Sequence, residues 1–385
     1  MDRSRSKGRT VRQTTNRSSG LLLVLAGSVV LGLLMTLLWV KRAFSTIPAS
    51  KSTVKSSSTH LPLSSSSPLL QRGPEVDSND YLWQLPPQKK QRNSSNSQSS
   101  ESVKGLLFLA HGCHHVGTDW WKSTPTICPE CIGLPEEVAI VQTARSLDLA
   151  VVAMSSVGLC WRSIDGPRVA QVLQYLVTHE FHNNRDDLPI FAFGASSGGN
   201  FVSSILPFAL KEVQLNLAGY ISQIMAPAPT SLFADEIPAV YITMNGDPRT
   251  EERAKKVVND LQQKKIAARQ IRIGPIPLQD NFFARRIDTI DEATSRALVK
   301  ALLDANLVDQ TTRLLLDNPR TADWRTVLRQ VVTHYGIKDN LVADQSPISE
   351  VLNVAYNQHE MTRDGVPDAL DFLLLQAQQQ QLLNK

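Results

Sequence analysis

In Asp187-Leu188-Pro189-Ile190-Phe191-Ala192-Phe193-Gly194-Ala195-Ser196-Ser197-Gly198-Gly199-Asn200-Phe201, a short apolar run gives way to a cluster of small residues. The run reads as a buried strand, Gly194 to Gly198 fits the pattern G-x-S-x-G, and Gly199 to Leu206 reads as the opening of a helix. A strand, a sharp turn and a helix in that order force the middle residue into a strained backbone conformation, tolerable only where the flanking positions lack bulk. Gly194, Ala195, Gly198 and Gly199 supply that smallness. Such a turn lifts the Ser196 hydroxyl above the sheet. It also aims the Ser197 amide, at the helix N-terminus, into the same space, where negative charge is stabilised. Ser196 is the candidate nucleophile. The alternative is a chance match in which small residues only let a helix pack closely, and the strand-turn-helix context weighs against it.

Outward from this stretch the chain alternates between strand and helix from residue 103, which argues for a mostly parallel sheet covered by helices on both faces. Strands are expected at Leu106 to Ala110, Leu149 to Met154, Leu217 to Ile224, Ala239 to Met244 and Ile266 to Ile273. Helices are expected at Pro135 to Leu147, through Val169, Val172, Leu173, Leu176, Val177 and Phe181, and at Glu251 to Gln263. Residues 275–350 break the alternation: Asp291 to Leu307 and Thr321 to Val332 read as helices with no strand between them, either a cap or a helical insertion. Ile348 to Tyr356 and Pro367 to Leu383 are the last expected helices.

A serine needs a base to take its proton, and the base needs a carboxylate to fix its tautomer. With this elbow the chain order is Ser, acid, His. Two histidines lie downstream. His334 sits near a helix end before Gly336, where a His often only faces the helix dipole. His359 lies after the last strand and before the last helix, where a base is expected, and is the choice. Asp247 follows a strand that delivers it to the same sheet edge as Ser196; capping the next helix is its competing role, and Asp235 is the reserve acid. For the oxyanion, Ser197 N–H is one donor. The His111-Gly112 turn after Leu106 to Ala110 offers the second through the amide of Cys113, with His114 as the alternative.

The His111-Gly112 turn, the Gly194 to Gly198 elbow, Asp247 and the late His359 together resemble the α/β-hydrolase superfamily over roughly residues 103–385. The cysteine-bearing segment and His359-Glu360-Met361 resemble little-characterised algal and plant members of it. The resemblance implies a serine hydrolase with a Ser196-His359-Asp247 triad and no cofactor or metal. The first two strands of that family are not recognisable before Leu106, so the sheet is expected to be short on that edge.

Cys113, Cys128, Cys131 and Cys160 all precede the elbow. In an oxidising compartment four cysteines most simply form two disulfides, tying the loop after the first strand to itself and to Cys160. A structural zinc near His114 and His115 lacks the usual second ligand pair, and a thioredoxin-like role for Cys128 and Cys131 lacks the strand-to-helix context. Trp120, Trp121 and Trp161 either line an apolar pocket or belong to the core.

The N-terminal hundred residues are of another character. Residues 1–20 carry six Arg and Lys against Asp2, and Leu21 to Val40 contains no charge. Twenty such residues suffice to span a bilayer of about 30 Å, which predicts a single-pass helix over 21–40 with the basic tail in the cytosol. A cleaved signal peptide or a plastid transit peptide are the alternatives. Residues 41–102 are rich in Ser, Pro, Gln and Asn and are expected to be a flexible stem, with a glycosylation sequon at Asn93 and with Asp80-Tyr81-Leu82-Trp83 as a stretch that could dock onto the domain. Residues 1–100 hold 14 Lys and Arg against 4 Asp and Glu, while 101–385 hold 26 against 32. The basic balance therefore belongs to the tail and stem, and the folded part offers no nucleic-acid surface. The expectation is a membrane-anchored serine hydrolase, its domain in the secretory lumen or outside, acting on a small-molecule or lipid-like acyl substrate. A non-catalytic binding module on a stem, an acyltransferase and a peptidase are the rivals.

Overall fold

The computed structural model describes residues 69–76, 79–87, 103–181, 188–228 and 233–383. The tail over 1–20, the apolar span over 21–40, most of the stem and Asn93 lie outside the described residues. Among the described residues no helix is long and apolar enough to cross a membrane.

Eight strands form one sheet in the order β1-β2-β4-β3-β5-β6-β7-β8. They are β1 (Gln71–Arg72), β2 (Leu82–Gln84), β3 (Gly105–Ala110), β4 (Leu149–Ala153), β5 (Ile190–Ala195), β6 (Leu217–Gln223), β7 (Ala239–Met244) and β8 (Ala268–Ile273). From β4 to β8 every pairing is parallel, while β2 runs antiparallel to both β1 and β4. All residues of β3, β4, β5 and β7 are buried, as strands covered on both faces must be. The pleat divides them between two cores: Leu106 and Phe108 face one layer of helices, Leu107 and Leu109 the other.

The expectation of a stem through residue 102, with a sheet short at that edge, is corrected here. β1 and β2 lie within residues assigned to the stem and complete the sheet, with Trp83 paired to Val152 of β4. Two- and three-residue strands carry too little periodicity to be recognised by pattern.

One face is covered by α2 (Asp165–Tyr175), the pair α3 (Ser197–Ser204) and α4 (Leu206–Glu212), and α5 (Pro248–Gln263); the other is covered by α1 (Pro135–Ser146) and α10 (Val366–Leu383). The helix expected over Gly199 to Leu206 starts two residues earlier and is interrupted at Ile205. Pro207 has no N–H to continue the ladder, and a second short helix starts at Leu206 with the proline in its first turn. Between β8 and His359 lie α6 (Phe282–Arg286), α7 (Glu292–Asp304), α8 (Trp324–His334) and α9 (Pro347–Tyr356). They bury a core of their own around Phe283, Leu298, Leu302, Trp324, Leu328 and Leu352, so the break in alternation is a helical insertion. α9 is set by Ser346, whose hydroxyl accepts from Ser349 N–H at 3.0 Å, and ends at Asn357 in the left-handed region.

Candidate active site

The β3–β5 pair lies in the middle of the sheet where the chain switches direction, and the loops that leave the carboxyl ends of the two strands form a crevice. β5 ends at Ala195, and Ser196 follows with φ 52° and ψ −114°, the strained elbow its neighbours imply. Its backbone is held by a hydrogen bond from Ser196 N–H to Gln223 O at 2.9 Å. A Cβ on Gly198 would sit 2.4 Å from Ala110 O, so only glycine lets α3 start against the end of β3.

Asp247 reaches this serine from the loop after β7, and His359 from the loop between α9 and α10. Ser196 Oγ lies 3.0 Å from His359 Nε2, and His359 Nδ1 lies 3.4 Å from Asp247 Oδ2. The second distance is long for a hydrogen bond. The two roles of Asp247 are divided between its oxygens: Oδ1 caps α5 by accepting from Thr250 N–H at 3.2 Å, and Oδ2 faces the imidazole. Burial pushes the Asp247 carboxyl up, but the bonds from Thr250 and His359 outweigh it and the net displacement is downward. The two loops are fitted to each other. Gly246 N–H donates to Asn357 O at 3.1 Å, and a Cβ on Gly246 would lie 2.2 Å from that oxygen.

The reserve choices lie elsewhere. Asp235 is paired with Lys264, and His334 stacks edge-on against Tyr335 at the end of α8.

The loop after β3 supplies the remaining polar groups. The His114 amide donates to Leu159 O at 2.8 Å and is therefore not available, which corrects the alternative that placed it beside Cys113. Among the described residues the amides of Cys113 and Ser197 have no acceptor. His111 is buried and structural: its Nε2 accepts from Ser156 N–H at 3.1 Å, which leaves Nδ1–H to donate to Gly112 O at 2.7 Å. Burial holds its pKa down to about 4. Cys113 is bonded to Cys160 and Cys128 to Cys131, so this loop is tied to the β4–α2 loop and to itself, and no thiolate is left for a zinc. Trp120, Trp121 and Trp161 are buried in the cores instead of lining a pocket; Trp161 packs on His111, Phe108 and Phe201.

A cavity of about 260 Å³ opens over Ser196 and His359, bordered also by His115, Ile224, Arg320 and Met361. Three groups that pattern reading did not find hold its walls. The Gln223 side chain pairs with Thr362 backbone in both directions, at 2.7 and 2.9 Å, so one residue positions both the elbow and the histidine loop. Arg320, from the insertion, donates to Gln358 O and His359 O at 3.0 Å each and to Glu360 Oε2 at 2.8 Å. Beneath them lies a buried acidic floor. Burial would push Glu136 up, but Arg286 and Arg363, each 2.9 Å away, bring it down on balance. Burial pushes Glu137 and Glu350 upward, Glu137 to about 7, while the nearby His115 draws Glu137 back down. Only a long-range view reveals these residues, because each partner is many residues away in the chain.

No family model and no curated protein matches the sequence. Among solved structures, a bacterial heroin esterase is similar at 16% identity over 55% of this chain and 76% of that one, with a TM-score of 0.35. An arylesterase is similar at 13% identity over 54% and 76%, with a TM-score of 0.34. Carboxyl esterase 2 of the mycorrhizal fungus Tuber melanosporum follows at 14% over 60% and 85%, with a TM-score of 0.36. Likeness this distant says nothing about substrate, and the classification rests on the chain's own topology. With β2 antiparallel on an otherwise parallel run, β3 and β4 exchanged in order, and the serine turn on central β5, the chain has the α/β-hydrolase fold.

Proposed function

We propose that this chain is a serine hydrolase that cleaves esters or related acyl compounds. The observation that carries the reading is the connected line Asp247 Oδ2, His359, Ser196 Oγ at 3.4 and 3.0 Å, built on a positive-φ elbow. Nδ1–H of His359 faces the Asp247 carboxylate, which leaves Nε2 as the acceptor for the serine proton. Ser196 Oγ attacks the acyl carbon, its proton passes to His359 Nε2, and the carbonyl oxygen becomes an anion held by the amides of Cys113 and Ser197. The intermediate collapses with loss of the alcohol, which takes the proton from His359. Water then repeats the sequence and frees the acid. No step calls for a cofactor.

The anchored topology belongs to the same proposal: a cytosolic basic tail, a single span over residues 21–40 and the hydrolase domain in the secretory lumen or outside. Two features support it, the uncharged run Leu21 to Val40 and the pairing of all four cysteines, which suits an oxidising compartment.

The test is labelling of the full-length protein in detergent with a fluorophosphonate, followed by mass spectrometry of the modified peptide. Modification of Ser196, lost in Ser196→Ala at an unchanged melting temperature, is the expected result. A folded protein that takes no label, or an active Ser196→Ala variant, overturns the reading.

A further inference from the structure

We propose that His115 is a third, charged donor to the oxyanion, its Nε2–H acting beside the amides of Cys113 and Ser197. The inference rests on the serine-hydrolase reading and extends it to a residue outside the triad.

The geometry is as follows. His115 borders the same cavity as Ser196. Its Nδ1 lies 3.2 Å from Asp119 Oδ2 and 3.9 Å from Glu137 Oε1, so that side of the ring is committed to carboxylates. The opposite edge carries Cδ2 and Nε2. A Cβ built on Gly112 would lie 3.8 Å from His115 Cδ2 and 4.0 Å from Ser196 Cβ, so this edge and the serine flank the same glycine. Among the described residues His115 Nε2 has no hydrogen-bond partner. A ring held by a carboxylate on one nitrogen, with its other nitrogen unpartnered and its Cδ2 edge beside the glycine that the serine flanks, is built to donate. Asp119 is the positioning residue: the same Oδ2 accepts from Val116 N–H at 3.0 Å, fixing the loop as well as the ring.

The surroundings favour the cation. Burial alone would depress His115, but the Asp119 bond and the charges of Glu137, Asp119 and Glu360 outweigh it and hold the imidazole up to about 9. Glu350 faces Glu137 from α9, His111 lies behind on the same loop, and Arg320, Asp344 and His359 share the cavity. A donor that is already charged answers the negative charge of the intermediate more strongly than a neutral amide does. It does so without accepting the serine proton, so it does not compete with His359.

The experiment measures the second-order rate of Ser196 phosphonylation by a fluorophosphonate, whose transition state places an anionic oxygen in the same position, on the full-length protein across pH 6–10. Wild type is expected to lose rate above about pH 9 as His115 gives up its proton. His115→Ala should react about 100- to 1,000-fold more slowly, the usual loss for one oxyanion donor. His115→Gln, which keeps a neutral N–H, should recover part of the rate and lack the alkaline limb. The melting temperature of each variant reports folding; should His115→Ala fail to fold, the pH profile of His115→Gln decides. A folded His115→Ala within threefold of wild type, or a His115→Gln profile that keeps the alkaline limb, overturns the inference while leaving the triad standing. Absence of labelling in wild type overturns the hydrolase reading itself, and this inference with it.

Discussion

Replacing Arg320 by Ala removes one side chain that performs two tasks, and the two are separable by pH. Its guanidinium holds Gln358 O and His359 O, and it neutralises Glu360, which is buried. Burial raises the Glu360 pKa; Arg320 is the largest influence pulling it back, with His115, Met361 N–H and Asn353 assisting. Without Arg320 that carboxyl moves up further. An unfolded glutamate titrates near 4.5, so below that pH both states hold the proton and the variant loses only its two carbonyl bonds. As pH rises above 4.5 the unfolded chain releases its proton freely. The folded variant must keep the proton or bury an unpaired charge, and stability is lost through that window. Breaking a fully buried pair costs about 3–5 kcal/mol, but Arg320 is 41% exposed, which reduces the expectation to roughly 1–2 kcal/mol at pH 8. That corresponds to a fall of about 3–6 °C in melting temperature. The assay is a melting series of wild type and Arg320→Ala at pH 4.5, 6 and 8, run beside the phosphonylation rate. The rate should drop roughly ten- to hundredfold because His359, held at φ 46°, loses its tether. A stability deficit of equal size at pH 4.5 and pH 8 would refute the reasoning, since it would mean that Arg320 carries no charge compensation.

Other substitutions probe the remaining assignments. Asp247→Asn keeps a good helix cap and hence the melting temperature, yet should lower kcat by about 10³ to 10⁴, whereas Asp235→Asn should leave it within twofold; steady-state ester hydrolysis distinguishes them. Gly246→Ala drives a methyl group into Asn357 O, 2.2 Å from its built position, so the rate of Ser196 phosphonylation should collapse. Removing the Cys113–Cys160 bridge by a double Ser substitution opens a loop with a sequence separation of 47 and should cost roughly 4 kcal/mol, against roughly 2 kcal/mol for Cys128–Cys131 with a separation of 3; urea denaturation curves give both values.

Much of this architecture is local and therefore legible. The elbow is encoded within Gly194 to Gly199 because backbone strain is relieved only by small neighbours, and β3 to β7 announce themselves as largely apolar runs because parallel strands inside the sheet are buried on both faces. Asp247 and His359 were readable from their places at strand and helix ends, since the fold delivers strand ends to one edge. Tertiary structure alone decided the rest. β1 and β2 are too short to carry a period, and Gln71 and Trp83 become strand residues only when β4 offers an edge. That Asp247 meets both a helix start and an imidazole is decided by the fold, which points its two oxygens at different partners. Arg320, Gln223 and His115 have no motif; their roles come from contacts with Gln358, Thr362 and Asp119, made by loops that meet only in the folded chain. A carboxyl such as Glu137 reads as an ordinary first-turn acid on a helix. Its burial, in a core closed by α9 more than two hundred residues further on, is what raises its pKa to about 7.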